Sequence, residues 1–171
     1  MKVLNKKVAP VDIIRIVVLI IIYVLLGNIP QIQQNPIIAD ATLAVNMIIV
    51  VLAGILFGRK AGFSVGLFGT FFNALVTGSP FEFAAIVPHL IMGWTAGALK
   101  ENSNTFWASL SIILGHLLNI LVFLIVGLIS LEIIASDTFW YGLGVEALLG
   151  IVSINIIVGI YRLVCGKEKK N

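Results

Sequence analysis

Three ionisable side chains lie far inside long apolar runs: His89, His116 and Glu146. A charge at the centre of a bilayer costs at least about 2.5 kcal/mol on insertion scales, so such residues are functional candidates by default. A carboxylate and two imidazoles can hold a ligand through charge-assisted hydrogen bonds. We therefore treat these three residues as candidates for binding a small molecule.

Each of the three shares its helix face with small or polar neighbours, at 100° per residue. A face of this composition suits a helix that borders a polar cavity within a bundle. The faces are Glu82, Ala85, His89, Gly93 and Ala96; Ser109, His116, Asn119, Phe123, Gly127 and Ser130; and Gly142, Glu146, Gly150 and Ser153.

The candidates also fall at a similar predicted depth. At about 1.5 Å per residue, His89 and Glu146 lie roughly 10–12 Å below the outer surface, and His116 lies near the midplane. Three asparagines fall in the outer half as well: Asn46, Asn73 and Asn119. This common layer predicts a polar cavity that opens to the outside.

Each residue taken alone also has a structural interpretation. A single intramembrane asparagine usually joins helices, and a single histidine is usually a satisfied packing residue. We expect Asn155, in the inner half on the face opposite Glu146, to be structural. Glu146 is harder to satisfy, because no basic residue is predicted at its depth. It is protonated, paired with a histidine, or neutralised by a cationic ligand.

The elements that position these residues are apolar helices. The chain is 60% hydrophobic and 11% charged, with a mean hydropathy of +1.11, whereas soluble domains are roughly 45–50% apolar and 25% charged. Repeated apolar runs of about 20 residues predict transmembrane helices. We predict an all-α membrane protein in which residues 1–171 form one compact domain. Its six transmembrane helices are 11–27, 41–58, 61–78, 82–99, 106–130 and 138–164.

The basic residues predict the orientation. Except for Arg15, one turn inside helix 1, they precede helix 1, lie in the 2–3 and 4–5 connections, or follow at the C-terminal end. By the positive-inside rule both termini are cytoplasmic. The net charge of +3 therefore reflects topology, and we expect no nucleic-acid partner. Residues 27–36, "GNIPQIQQNP", directly follow the first apolar run and contain no Ala-x-Ala-like site, so we expect this run to be a helix and not a cleaved signal peptide.

Helix 3 carries a stripe of small residues on one face. Gly62, Gly66 and Gly69 lie there together with Thr70 and Asn73. Such a stripe lets another backbone approach closely. It has two possible uses, which are packing inside its own bundle and docking a separate membrane partner.

The outer connections suit the covering of a cavity. Residues 27–41, "GNIPQIQQNPIIADA", form the longest connection, which is restrained by two prolines and could act as a lid. Residues 136–142, "SDTFWYG", bring Trp140 and Tyr141 to the outer interface. These two aromatic side chains either belong to an interfacial belt or stack on a ring-shaped ligand.

Glycines recur at fixed places in residues 53–99, "AGILFGRKAGFSVGLFGTFFNALVTGSPFEFAAIVPHLIMGWTAGAL". Gly58 lies in the turn after helix 2, Gly62 and Gly66 begin helix 3, and Gly93 and Gly97 end helix 4. This pattern resembles the substrate-binding S components of energy-coupling factor (ECF) vitamin transporters. The resemblance is close over about a quarter of the chain and extends to the rest through the six-span topology.

The resemblance implies a high-affinity binding subunit that captures a vitamin or related micronutrient outside a prokaryotic plasma membrane. It places the pocket on the outer side, among helices 4 to 6 and the outer loops. It also implies a transmembrane coupling protein and two cytoplasmic ATPases as partners, with release of the ligand when the subunit topples. The chain has no Gly-x-x-x-x-Gly-Lys-[Ser/Thr] loop, so we assign ATP use to the partners and expect no cofactor or metal here.

We predict two sets of site residues. Docking of the coupling protein is assigned to Gly62, Gly66 and Gly69, because helix 1 has no small residue between Asp12 and Gly27. The side chains near the cavity suit a small ring compound that is cationic or rich in hydrogen-bond donors. The predicted substrate-binding residues are Glu146, His116, Asn119, His89, Glu82, Trp140, Tyr141, Asn73 and Asn46.

Three other functions remain open. A stand-alone carrier or channel would use the same cavity, although no internal repeat is present. An intramembrane enzyme would use His89, His116 and Glu146 as metal ligands, or a histidine as the base for Ser79 or Ser111. A purely structural membrane subunit would use none of them. The chain has no His-Glu-x-x-His motif.

Overall fold

A computed structural model of the chain describes residues 10–30, 35, 43–98 and 105–165. All the regular structure in these ranges is helical, which confirms the all-α prediction for them. The helices are α1 (Pro10–Leu26), α2 (Met47–Phe57), α3 (the consecutive segments Arg59–Ser64, Val65–Gly69 and Thr70–Thr77), α4 (Pro80–Ala98), α5 (Thr105–Ile125), α6 (Leu131–Ile134) and α7 (Asp137–Cys165).

The helix bounds differ from the predicted ones by more than two residues in two places. The fifth helix ends at Ile125, not at residue 130, because Gly127 follows with φ 74° and the chain turns away. Ser130 then caps the short helix α6, and its side chain accepts the N–H of Ile133. The second helix begins at Met47, and the start that we predicted at residue 41 lies outside the described residues.

Two of the described helices are long and apolar enough to cross a membrane: Phe106–Ile125 and Asp137–Val164. Met47–Phe57 is apolar but has only 11 residues. The six spans and the cytoplasmic termini therefore stay predictions. Most of the residues predicted as a lid, 27–41, lie outside the described part, as do the lysines near both termini.

Helix α2 lies at the centre of the bundle. Its residues 47–54 are all buried, as expected for a helix that is apolar on every side. Tyr23 of α1, Met92 of α4 and Ile154 of α7 are fully buried in the same core. Large apolar side chains on the outer faces of α1, α3, α5 and α7 are exposed, which suits contact with lipid.

The glycine stripe of α3 packs within the chain. A Cβ on Gly62 would collide with the backbone of Gly93, and one on Gly66 would lie 2.5 Å from the His89 carbonyl oxygen. A Cβ on Gly69 would lie 2.9 Å from Cγ of Tyr23. The stripe therefore packs against α4 and α1, and docking of a partner by Gly62, Gly66 and Gly69 stays a prediction.

Candidate functional site

A cavity of about 400 Å³ lies at one end of the bundle. At this end α1, α3 and α5 finish, and α2, α4 and α7 begin. Its volume is in the range of small-molecule sites, roughly 300–1,000 Å³. The residues that line it are Gly27, Leu43, Ala44, Asn46, Thr77, Ser79, Phe81, Glu82, Ala85, His89, His116, Asn119, Ile120, Phe123, Phe139, Leu143 and Glu146.

The structure brings most of the predicted site residues together around this cavity. Those that line it are Asn46, Glu82, His89, His116, Asn119 and Glu146. Asn73 is fully buried behind the wall. Trp140 and Tyr141 do not line the cavity, and their side chains are 48% and 70% exposed. The indole N–H of Trp140 donates to the Ile134 carbonyl at 2.7 Å.

Three phenylalanines that we did not predict as binding residues supply the apolar part of the wall: Phe81, Phe123 and Phe139. Phe81 and Phe123 meet edge to face, with ring centroids 5.3 Å apart. The helical spacing of Phe81 and Phe123 indicates that both rings face the cavity. Phe81 lies four residues before Ala85 on the face of His89, and Phe123 lies four residues after Asn119.

His89 lies in a hydrogen-bonded cluster that joins four helices. Its Nδ1 is 2.9 Å from the hydroxyl of Tyr23 in α1 and 2.9 Å from Oγ1 of Thr70 in α3. Thr70 also donates to the Tyr23 hydroxyl at 3.1 Å. On the other side of the ring, Nε2 is 3.4 Å from Nδ2 of Asn119 in α5. His89 is only 2% exposed, so these contacts fix its ring.

A π-helical turn precedes Thr70. The turn spans Val65–Gly69, and such single turns interrupt α-helices frequently at functional sites. Gly66 and Gly69 let the α4 backbone and the Tyr23 ring approach it closely. The same turn therefore brings α1, α3 and α4 together at the hydroxyl of Thr70.

The end of α1 contributes a second polar cluster. A Cβ on Gly27 would lie 2.6 Å from Oδ1 of Asn73 and 2.9 Å from Nδ2 of Asn46, so glycine leaves room for both amides. Asn28 donates to Oδ1 of Asn73 at 2.8 Å. The cluster thereby joins α1, α3 and the start of α2 beside the cavity.

Glu146 connects α7 to the segment that precedes α2. Its Oε1 accepts the backbone N–H of Ala44 at 2.7 Å. No lysine or arginine of the described residues lines the cavity, and no histidine there lies within ion-pair distance of Glu146. Of the three states considered for this carboxyl group, pairing with a histidine is therefore not observed.

Five buried polar atoms have no hydrogen-bond partner among the described residues. Native proteins satisfy nearly all such atoms, through the protein itself or through ordered water. The atoms are Nδ2 of Asn46, Nδ2 of Asn73, Oε2 of Glu82, Nε2 of His116 and Oδ1 of Asn119. All of these residues except Asn73 line the cavity. The Glu82 carboxyl group lies within interaction range of the Asn46 and Asn73 amides, so three of the five atoms belong to one polar cluster beside the cavity.

In the described part of the chain, no three histidine, cysteine, aspartate or glutamate side chains come together as a metal site requires. Comparison with curated proteins and with solved structures gave no match. A family model described as "ECF transporter, substrate-specific component" matches residues 11–165, which is nearly the whole chain. This match agrees with the glycine pattern of residues 53–99 and with a small-molecule cavity at one end of a helical bundle. The chain belongs to the family of ECF transporter substrate-specific components.

Proposed function

We propose that this chain captures a vitamin or related micronutrient from outside a prokaryotic cell and delivers it inward with a coupling protein and two ATPases. Family membership implies a small-molecule substrate, a membrane location and interaction with an ECF module. The observation that carries the proposal is the cavity of about 400 Å³, whose wall contains the polar side chains of Asn46, Glu82, His116 and Asn119. The end of the bundle that holds it is the one predicted to face outward.

The cavity favours a particular kind of substrate. Glu82 and Glu146 bring two carboxyl groups to its wall, and no described lysine or arginine balances them there. Phe81, Phe123 and Phe139 offer flat apolar surfaces, against which an aromatic ring packs well. A small ring compound with a positive charge or several N–H donors fits both features.

Native mass spectrometry of protein purified from its source membrane tests the binding role. We expect one small molecule bound to each chain and released unchanged. A chemically converted product would contradict the proposal and favour an intramembrane enzyme. Binding of the same compound can then be measured by titration in lipid nanodiscs.

Uptake into proteoliposomes tests the coupling role. We expect transport of the bound compound only when the coupling protein and both ATPases are present with ATP. The matched control contains this chain alone, in the same lipid and at the same density. Uptake by the chain alone would contradict the proposal and support a stand-alone carrier.

A further inference from the structure

Three polar groups form a triangle at Nδ1 of His89. The hydroxyls of Tyr23 and Thr70 each lie 2.9 Å from this nitrogen, and the two oxygens are 3.1 Å apart. Neither hydroxyl-bearing residue lines the cavity. From this triangle we propose that Tyr23 and Thr70 hold His89 in the tautomer with its proton on Nε2. As a consequence, Asn119 turns its amide oxygen to Nε2 of His89 and keeps its N–H₂ group for another acceptor.

A count of hydrogens decides the tautomer. If Nδ1 is bare, one hydroxyl donates to it and the second hydroxyl donates to the first, so both hydroxyl hydrogens find acceptors. If Nδ1 carries a proton, the triangle contains three hydrogens. Two of these hydrogens can form hydrogen bonds along two sides of the triangle. The third side joins a hydroxyl to the protonated Nδ1, which has no lone pair to accept the remaining hydrogen. One buried donor would then be unpaired, which native structures avoid.

Within the described residues, the hydroxyls of Tyr23 and Thr70 have no hydrogen-bond partners besides each other and His89. Tyr23 and Thr70 are both 0% exposed, so neither hydroxyl reaches solvent. Thr77 and Thr95 donate to the carbonyl four residues earlier in their helices. Thr70 instead makes its hydrogen bonds to Tyr23 and His89. The triangle is therefore closed, and the bare form of Nδ1 is the one that satisfies it.

The other ring nitrogen then requires an acceptor. The Asn119 amide faces Nε2 through its Nδ2 position at 3.4 Å, but two N–H groups cannot bond to each other. An amide turned by 180° has the same shape and places its oxygen there instead. The N–H₂ group then takes the position of Oδ1, a buried atom without a partner among the described residues.

Asn119 lines the cavity, but the position of its Oδ1 atom has less than 1 Å² of accessible surface. The donor therefore lies just behind the cavity surface at α5 and meets a substrate when the side chain turns toward it. Resting on the function proposed above, a bound substrate supplies a carbonyl oxygen or an unprotonated ring nitrogen to Asn119. Glu82 and Glu146 accept hydrogen bonds elsewhere on the wall. The substrate class is therefore a ring compound with both an acceptor edge and a donor or cationic edge. Tyr23 and Thr70 are positioning residues, which act on the substrate only through His89 and Asn119.

Nitrogen-15 NMR of the substrate-free protein in lipid nanodiscs tests the tautomer, because protonated and bare imidazole nitrogens have widely separated shifts. The chain contains 2 histidines, so His116→Asn assigns the signals. We expect His89 to carry its proton on Nε2 in the wild type, in Tyr23→Phe and in Thr70→Val, since one hydroxyl donor to Nδ1 survives in each single variant. In the double variant the bare Nδ1 signal should move to the position of a nitrogen that accepts no hydrogen bond.

A proton on Nδ1 in the wild type would overturn the proposal, and so would an unchanged Nδ1 signal in the double variant. If the double variant does not fold, the wild type and the single variants still decide the tautomer. Asn119→Leu removes the acceptor and should speed the exchange of the Nε2 proton with water, whereas Asn119→Asp should not. Equal exchange in both would refute the role of Asn119. Because no substrate is present, failure here leaves the proposed function standing.

Discussion

Glu146 shows how one side chain can serve the fold and the cavity together. One carboxyl oxygen holds the backbone N–H of Ala44, and the residue also lines the cavity. A glutamine has the same shape and can still accept that N–H. The two functions of Glu146 can therefore be separated by a single substitution.

Glu146→Gln should weaken binding of the compound identified by native mass spectrometry. Loss of a charge-assisted hydrogen bond to a cationic or donor-rich substrate costs about 1.5–3 kcal/mol. This corresponds to a roughly 10- to 150-fold higher dissociation constant in calorimetric titration. Asn155→Ala is the control, because Asn155 does not line the cavity and bonds to Ile151 at 2.7 Å. Normal binding by Glu146→Gln with weakened binding by Asn155→Ala would place the site in the other half of the bundle.

The aromatic residues give a second prediction for single side chains. Phe123→Ala should weaken binding, since its ring lines the cavity and aromatic pairs contribute about 0.5–1.5 kcal/mol beyond the area they bury. Tyr141→Ala should leave the dissociation constant unchanged, because Tyr141 points outward and is 70% exposed. The opposite result in the same titration would favour stacking on the substrate by the 136–142 connection.

At the scale of the helices, the α3–α4 pair depends on glycine. Gly66→Ala should lower the free energy of unfolding by about 1–3 kcal/mol, as overpacking does, because the new Cβ would lie 2.5 Å from a backbone oxygen of His89. Gly159→Ala is the matched control in α7, where a Cβ meets nothing within 4 Å. This control should be neutral or stabilising by up to about 1 kcal/mol. Thermal unfolding in detergent measures both. If Gly66→Ala keeps full stability and loses only uptake, the stripe docks a partner after all.

Periodicity predicted the helices and much of the cavity wall. Residues such as His89 and Asn119 stand out because they repeat with small residues at helical spacing on one face. Tyr23 could not be found in this way, because it is a single aromatic residue in an apolar helix and its role depends on where α1 packs. Thr70 could be placed on a face, but the direction of its hydroxyl depends on the π-helical turn before it. The outward direction of Trp140 follows from the packing of α7, which periodicity does not contain.

At the scale of the whole molecule, the orientation in the membrane is the main prediction to test. Single cysteines at Gln33 and Ser136 should react with a membrane-impermeant thiol reagent in intact cells, whereas one at Asn102 should react only after lysis. Gln33 and Asn102 lie outside the described residues, so labelling adds information that the fold does not contain. The control is a variant in which Cys165 is replaced by serine. Labelling of Asn102 in intact cells would contradict the predicted topology.

The glycine contacts between α3 and α4 also determine which side of the cavity can move. Gly62 and Gly93 meet backbone to backbone, so these two helices cannot slide without losing contact along their length. On the opposite side, one hydrogen bond of 2.7 Å joins Ala44 to Glu146. We therefore expect the wall that carries His89 to stay stationary. A substrate would be admitted by separation of α7 from residues 43–46, which breaks the hydrogen bond between Ala44 and Glu146.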